Sequence, residues 1–226
     1  MERHFEIELD NVKQSLLRMA SIVEDNLTLA VVALLHDDES VTEKIINDDQ
    51  RIDTFELEND NTIIDLLALH HPVASDLRFL VSAGKINNDL ERIGDHVVNI
   101  AESIRSLKRI PGSEPFLEIP EMSSIVKNML HKAIDSFLYL NADLATEVLG
   151  SDDSIDDLNL RINREMISVI KSDASKIDGA MELIRISRNL ERIADLSTNI
   201  AEEVIFVTQA RVVKHHAEDR ISDSEN

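Results

Sequence analysis

Two runs of carboxylates at helical spacing are the residues of this chain best suited to chemistry. The first lies in Asp89-Leu-Glu-Arg-Ile-Gly-Asp95-His-Val-Val-Asn99-Ile-Ala-Glu102, the second in Asn189-Leu-Glu-Arg-Ile-Ala-Asp195-Leu-Ser-Thr-Asn199-Ile-Ala-Glu202. Nine of the fourteen positions carry the same residue type in both copies. A repeat at fixed spacing dictates architecture and is settled first. Helical residues step by about 100°, which brings Glu91, Asp95, Asn99 and Glu102 within roughly 80° of one another. Ile86, Leu90, Ile93, Val97, Ile100 and Ile104 fall on the opposite side. One face buries itself and the other presents an acidic ladder. Arg92 and Arg192 stand about 100° away from their glutamates, too far round to neutralise the stripe fully.

A second acidic set precedes each ladder. Asp49, Asp53, Glu56 and Asp60 follow one another at i, i+4, i+7 and i+11, and the later copy has Asp152, Asp156, Asn159 and Asn163. Carboxylates bordering a core are costly unless something satisfies them. If the two acidic helices pack side by side, Asp49 and Asp53 face Glu91 and Asp95. Converging carboxylates either share a cation or protonate. Oxygen-only donors suit hard ions such as Mg²⁺, Ca²⁺, Mn²⁺ or Fe³⁺ rather than Zn²⁺. Gly94, and Ala194 in the second copy, sit just before the second acid, where a small residue admits a neighbouring helix. The Glu-x-x-His pair of di-iron bundles is missing from the ladder, which disfavours an oxygen-activating site. His96 has Leu196 as its counterpart, and His70-His71 and His215-His216 fall at a helix end and in the tail. A nucleophile elbow, a P-loop and Gly-x-Gly-x-x-Gly are absent, so hydrolase and nucleotide chemistry lack local support.

The elements that position these residues are helices. The 226 residues include few glycines and prolines, 3% aromatics and 43% hydrophobics, a composition for long helices packed by aliphatic side chains. Apolar spacing predicts helices over about 4–36, 39–70, 73–108, 121–140, 142–173 and 175–214. Three of the four prolines fall between 109 and 120, which makes 111–120 the linker. Asp49-x-x-Ile52-Asp53 aligns with Asp152-x-x-Ile155-Asp156, so the copies extend beyond the ladders. The expected fold is all-α: two tandem three-helix antiparallel bundles, over 1–110 and 121–214, each around its own core, with a fraying tail at 215–226. A net charge of −21 disfavours nucleic acid and anionic lipid as partners. Without cysteine, thiol and Fe–S chemistry are excluded. No signal peptide or apolar run long enough to span a bilayer is evident, so no membrane insertion is expected and the chain reads as cytoplasmic.

His70-x-Pro72-Val-Ala-x-Asp76-Leu-Arg78, followed by Asp89-Leu-Glu91-Arg-Ile-Gly-Asp95-x-x-x-Asn99-Ile-Ala, resembles the PhoU family of phosphate-uptake regulators. The Asp49-x-x-Ile52-Asp53 segment and the Glu191-Arg-Ile-Ala-Asp195 copy match the same pattern, and the resemblance runs from Phe5 to about Val207. It implies a non-enzymatic cytoplasmic protein, homodimeric, built as two three-helix bundles. Such a protein restrains the phosphate-starvation response with a membrane sensor histidine kinase and the ATPase of a phosphate ABC transporter. It also implies metal ions, as iron clusters or as Mg or Mn, held by Glu91 and Asp95 and by Glu191 and Asp195. Asp49, Asp53, Asp152 and Asp156 support them from the facing helices. The second copy departs from the pattern: Asp173-Ala-Ser-Lys-Ile-Asp178 stands where the first has the Pro72 to Arg78 motif. A metal-binding or metal-buffering helical protein is the alternative reading.

Overall fold

The computed structural model describes residues 2–35, 39–110 and 118–210. Its elements are α1 (Glu2–Leu35), α2 (Glu39–His70), α3 (Ala74–Lys108), α4 (Glu118–Tyr139), α5 (Ala142–Leu149), α6 (Asp152–Ser172) and α7 (Ile177–Gln209), with a 3₁₀ turn (Ala174–Lys176) leading into α7. The fold is all-α, two tandem three-helix bundles related by an internal repeat. Helices α1, α2 and α3 form the first bundle, and α4, the α5–α6 pair and α7 form the second. Among the described residues, no helix is long and apolar enough to cross a membrane.

The expected helix at 142–173 is two helices. Gly150 and Ser151, both weak helix formers, interrupt it. Apolar periodicity runs through the break from Val148 to Ile155, so spacing alone conceals it. Asn141 caps α5, its Oδ1 accepting from the backbone N–H groups of Asp143 (3.0 Å) and Leu144 (3.1 Å). Helix α4 begins at Glu118 rather than 121, because Pro120 in a first turn sacrifices no helical hydrogen bond. Helix α7 begins at Ile177, not 175, and its C-cap Ala210 is left-handed (φ 54°). Residues 111–117 of the expected linker, 211–214 of the expected last helix and the 215–226 tail lie outside the described residues. His71 and Ala74, with φ of 48° and 47°, flank Pro72 and turn the chain sharply from α2 into α3.

The two bundles do not keep separate cores. Buried aliphatics of all seven helices form one continuous cluster. The most extensive helix pairing is between α3 and α7, the two ladder helices, and α1 also packs on α4. Phe79 of α3 stacks on Phe137 of α4 with ring centroids 5.6 Å apart. Helix α7 sends Glu203 back to α3, where Ser82 Oγ (2.7 Å) and Lys85 Nζ (2.6 Å) donate to it. The reason lies in the ladder helices themselves. Each has apolar residues on two sides, and three helices cover only one of them.

A candidate acidic site between paired helices

Close approach of α2 and α3 builds the first acidic group. A Cβ placed on Gly94 would meet Ile52 Cδ1 at 3.0 Å and Asp49 Oδ1 at 3.5 Å. The bare backbone at this position lets Asp49 lie against α3 beside the ladder. A buried polar clasp two turns away fixes the register. Asn59 Nδ2 donates to Asn87 Oδ1 (2.9 Å), and Asn87 Nδ2 donates to the Glu56 carbonyl (2.9 Å) and to Asp60 Oδ1 (3.0 Å).

The electrostatics report the convergence. Burial, then Asp53 and Asp95, push the Asp49 carboxyl up to about 6. Glu91 is raised by burial first, then by Asp95, Glu56, Asp53 and Asp49. Glu56 is raised by burial, Asp60 and Asp53. Asp49, Asp53, Glu56, Glu91 and Asp95 therefore share one electrostatic neighbourhood. Arg92 turns away to Asp89 (3.6 Å), and Asp95 has no ion pair among the described residues. The ladder is also less outward than its spacing alone implies: Asp95 is exposed, whereas Glu91, Asn99 and Glu102 are half-buried.

The second group is weaker. Glu191 is raised by burial and by Asp195, but Arg192 and a hydrogen bond with Asn159 oppose the rise, and Asp156 adds to it. Arg192 Nη1 donates to Asp195 Oδ2 at 2.9 Å, so this ladder acid is held by its own arginine. Asp152 is not among the groups acting on Glu191. Asn159 and Asn163 replace Glu56 and Asp60, and Ser187 Oγ donates to Asn159 Oδ1 (2.7 Å) where the first bundle has Asn87. Among the described residues, no three His, Asp or Glu side chains are drawn together tightly enough to hold a metal ion. The acids are strung along facing helices.

Two features escaped the sequence reading. Asp89 is buried at the α3–α7 contact and pushed up to about 6 by burial first, with Glu203 adding and Arg92 and Lys85 opposing. Its repeat counterpart, Asn189, was the available signal: its Oδ1 lies 2.9 Å from His96 Nδ1 across the same contact. The Asn59–Asn87 clasp carried no signal beyond an asparagine at a buried position of each helix.

Comparison with known proteins agrees with this architecture. The model of the PhoU domain matches residues 16–104 and 119–204, one match per bundle. A phosphate-specific transport system accessory protein PhoU homolog of Clostridium acetobutylicum is 36% identical over 210 residues, covering 92% of this chain and 96% of that protein. The homolog of the same description from Aquifex aeolicus is 36% identical over 208 residues, with 92% and 94% covered. The crystal structure of PhoU from Pseudomonas aeruginosa superposes with a TM-score of 0.89 at 33% identity, covering 92% of this chain and 100% of that one. The phosphate transport system regulatory protein PhoU from Streptococcus pneumoniae gives 0.87 at 30% identity, covering 93% and 100%. Duplicated ladders, paired bundles and near full-length identity converge on one assignment: the chain belongs to the PhoU family.

Proposed function

We propose that this chain is a non-enzymatic cytoplasmic regulator of phosphate uptake. It restrains phosphate-starvation signalling by docking a membrane sensor histidine kinase and the ATPase of a phosphate ABC transporter. The observation that carries the reading is likeness along nearly the whole chain to accessory and regulatory proteins of phosphate transport. The helices supply broad charged surfaces of the kind that steer and register protein partners. Co-purification with the transporter ATPase or the kinase, together with starvation-gene expression after deletion, tests it. Absence of both interactions with unchanged expression sinks it.

Metal at the paired acids belongs to the same proposal. In the first bundle five carboxylates share one electrostatic neighbourhood without closing into a ligand cluster, and burial plus mutual repulsion raises Asp49 and Glu91, a cost that a hard cation would relieve once these side chains turned toward it. Asp49, Asp53, Glu91 and Asp95 would hold the ion, which supplies positive charge and a fixed spacing between α2 and α3. In the second bundle Asp156, Glu191 and Asp195 are the candidates with Asp152, and Asp195 must first exchange Arg192 for the ion. The crowded acids also favour a second reading, a metal-buffering protein whose loading is its function. Elemental analysis of the protein, alongside Glu91→Ala and Glu191→Ala, separates the two. Regulation that survives metal loss supports the docking role.

A further inference from the structure

Gly84 lies well inside α3, although glycine is among the weakest helix formers. Gly94 has a packing reason, because Ile52 occupies the space a side chain would take. Gly84 has none: a Cβ built on it meets nothing within 4 Å. Its bareness instead opens onto a groove of about 650 Å³ between α2, α3 and α7. That volume falls within the range of small-molecule sites.

Two kinds of surface line the groove. Ile63, Ile64, Leu67 and Val81 give it an apolar wall, with Ile64 61% and Val81 40% exposed. Asp60, Asp89, Glu202 and Glu203 set four carboxylates against one cation, Lys85. Lys85 is already committed: its Nζ donates to Glu203 Oε1 at 2.6 Å, while Ser82 Oγ donates to Oε2 at 2.7 Å. Asp60 Oδ1 accepts from Asn87 Nδ2 at 3.0 Å. Asp89 lines the groove while only 8% exposed. Among the described residues it accepts no hydrogen bond, and exposed Arg92 stands 3.6 Å away. A buried carboxylate so poorly met is costly, and a cation in the groove would meet it.

The repeat supplies an internal comparison. At the corresponding place in the second copy, Asn163, Asn189 and Ser103 stand for Asp60, Asp89 and Glu203. Ile184 stands for Gly84 and packs against the core, and Arg188 stands for Asn88. Ile63, Ile64 and Leu67 keep apolar counterparts in Met166, Ile167 and Ile170. The apolar wall therefore belongs to both copies, whereas the acids and the bare backbone occur together in the first alone.

We propose that this groove binds a free linear polyamine, its methylene chain along the apolar wall beside Gly84 and its ammonium groups on the surrounding carboxylates, Asp89 among them. Methylene segments suit the wall, and alkylammonium nitrogens suit carboxylates. The acids do not converge as a metal ion requires. Among the described residues, no aromatic side chain lines the groove, so it lacks the ring faces that hold quaternary ammonium groups. The proposal does not rest on the phosphate reading, and its test has no phosphate component.

Isothermal titration calorimetry of the full chain with spermidine at low ionic strength is expected to show one site per chain. Gly84→Ile, the residue the other repeat carries, keeps every charge and should weaken binding at least about tenfold. Asp89→Asn should do the same, whereas Asp157→Asn, which removes an exposed acid of α6, should leave binding unchanged. Butylamine, with methylenes but a single charge, should bind at least about tenfold more weakly than spermidine. Circular dichroism and melting curves establish that each variant is folded. Absence of spermidine binding, a folded Gly84→Ile chain that binds like the parent, or many weak sites that Mg²⁺ at matched ionic strength abolishes overturns the proposal. A tri-lysine peptide that binds as tightly as spermidine and is likewise lost in Gly84→Ile overturns the free amine as occupant.

Discussion

Asp89 shows how one buried carboxyl sets a pH dependence. Its ordinary value of 3.8 rises to about 6 in the folded chain. Between those values the folded state keeps a proton that the unfolded state has released, so stability falls as pH climbs through this window. Above about pH 6 the full cost of the buried charge is present. Asp89→Asn, the residue the other repeat already carries at position 189, is expected to stabilise the chain by about 2 kcal/mol at neutral pH. The gain should vanish near pH 4, as denaturant titrations at the two pH values will show. Asp49 and Glu91 act in the same direction, and their relief adds to stability on mild acidification. Asn87 tests the opposite case, a polar group that is well satisfied. Removing it strands buried Asn59, so Asn87→Ala is expected to cost about 2–3 kcal/mol in chemical unfolding.

Helices were the part of the fold most legible in the sequence, because apolar spacing of 3.6 residues survives over thirty or so positions. Periodicity carried α1, α2 and α3 to within two residues of their ends. It failed at Gly150, where two helices share one apolar line, and at Pro120, which opens a helix as readily as it closes one. Of the site, the facing of Asp49 and Asp53 against Glu91 and Asp95 followed from spacing plus one assumption of adjacency. The capture of Asp195 by Arg192 did not follow, since the Glu-Arg-Ile-x-Asp run is the same in both copies and rotamer choice depends on the neighbouring helix. The α3–α7 pairing was equally hidden, because spacing names a buried face but not what buries it. Gly94 admits Ile52 and Asp49 of α2 against the backbone of α3. Gly94→Leu is expected to cost at least about 2 kcal/mol, read as a lowered denaturation midpoint, because Ile52 already occupies the space. Asn141→Ala, which uncaps α5, should cost about 1 kcal/mol by the same measurement.

One core spanning both bundles makes the molecule a single cooperative unit. Calorimetry is expected to give one unfolding transition rather than two, and separate transitions would contradict the shared core. Saturating Mn²⁺ or Mg²⁺ should raise the melting temperature by mass action on the folded state. Glu91→Gln with Asp95→Asn should melt higher than the parent without metal, since repulsion is relieved, and should lose the response to metal. Helices α3 and α7 meet antiparallel, in register through Ser82–Glu203 and His96–Asn189, and this has a historical consequence as well. A surface that packs on its own duplicate about a two-fold axis is one that an ancestor holding a single repeat would have used for self-assembly. Joining two such ancestral chains keeps that contact and frees each side to diverge. Asp89 against Asn189, and His96 against Leu196, are changes that a symmetric pair of identical chains cannot make on one side alone.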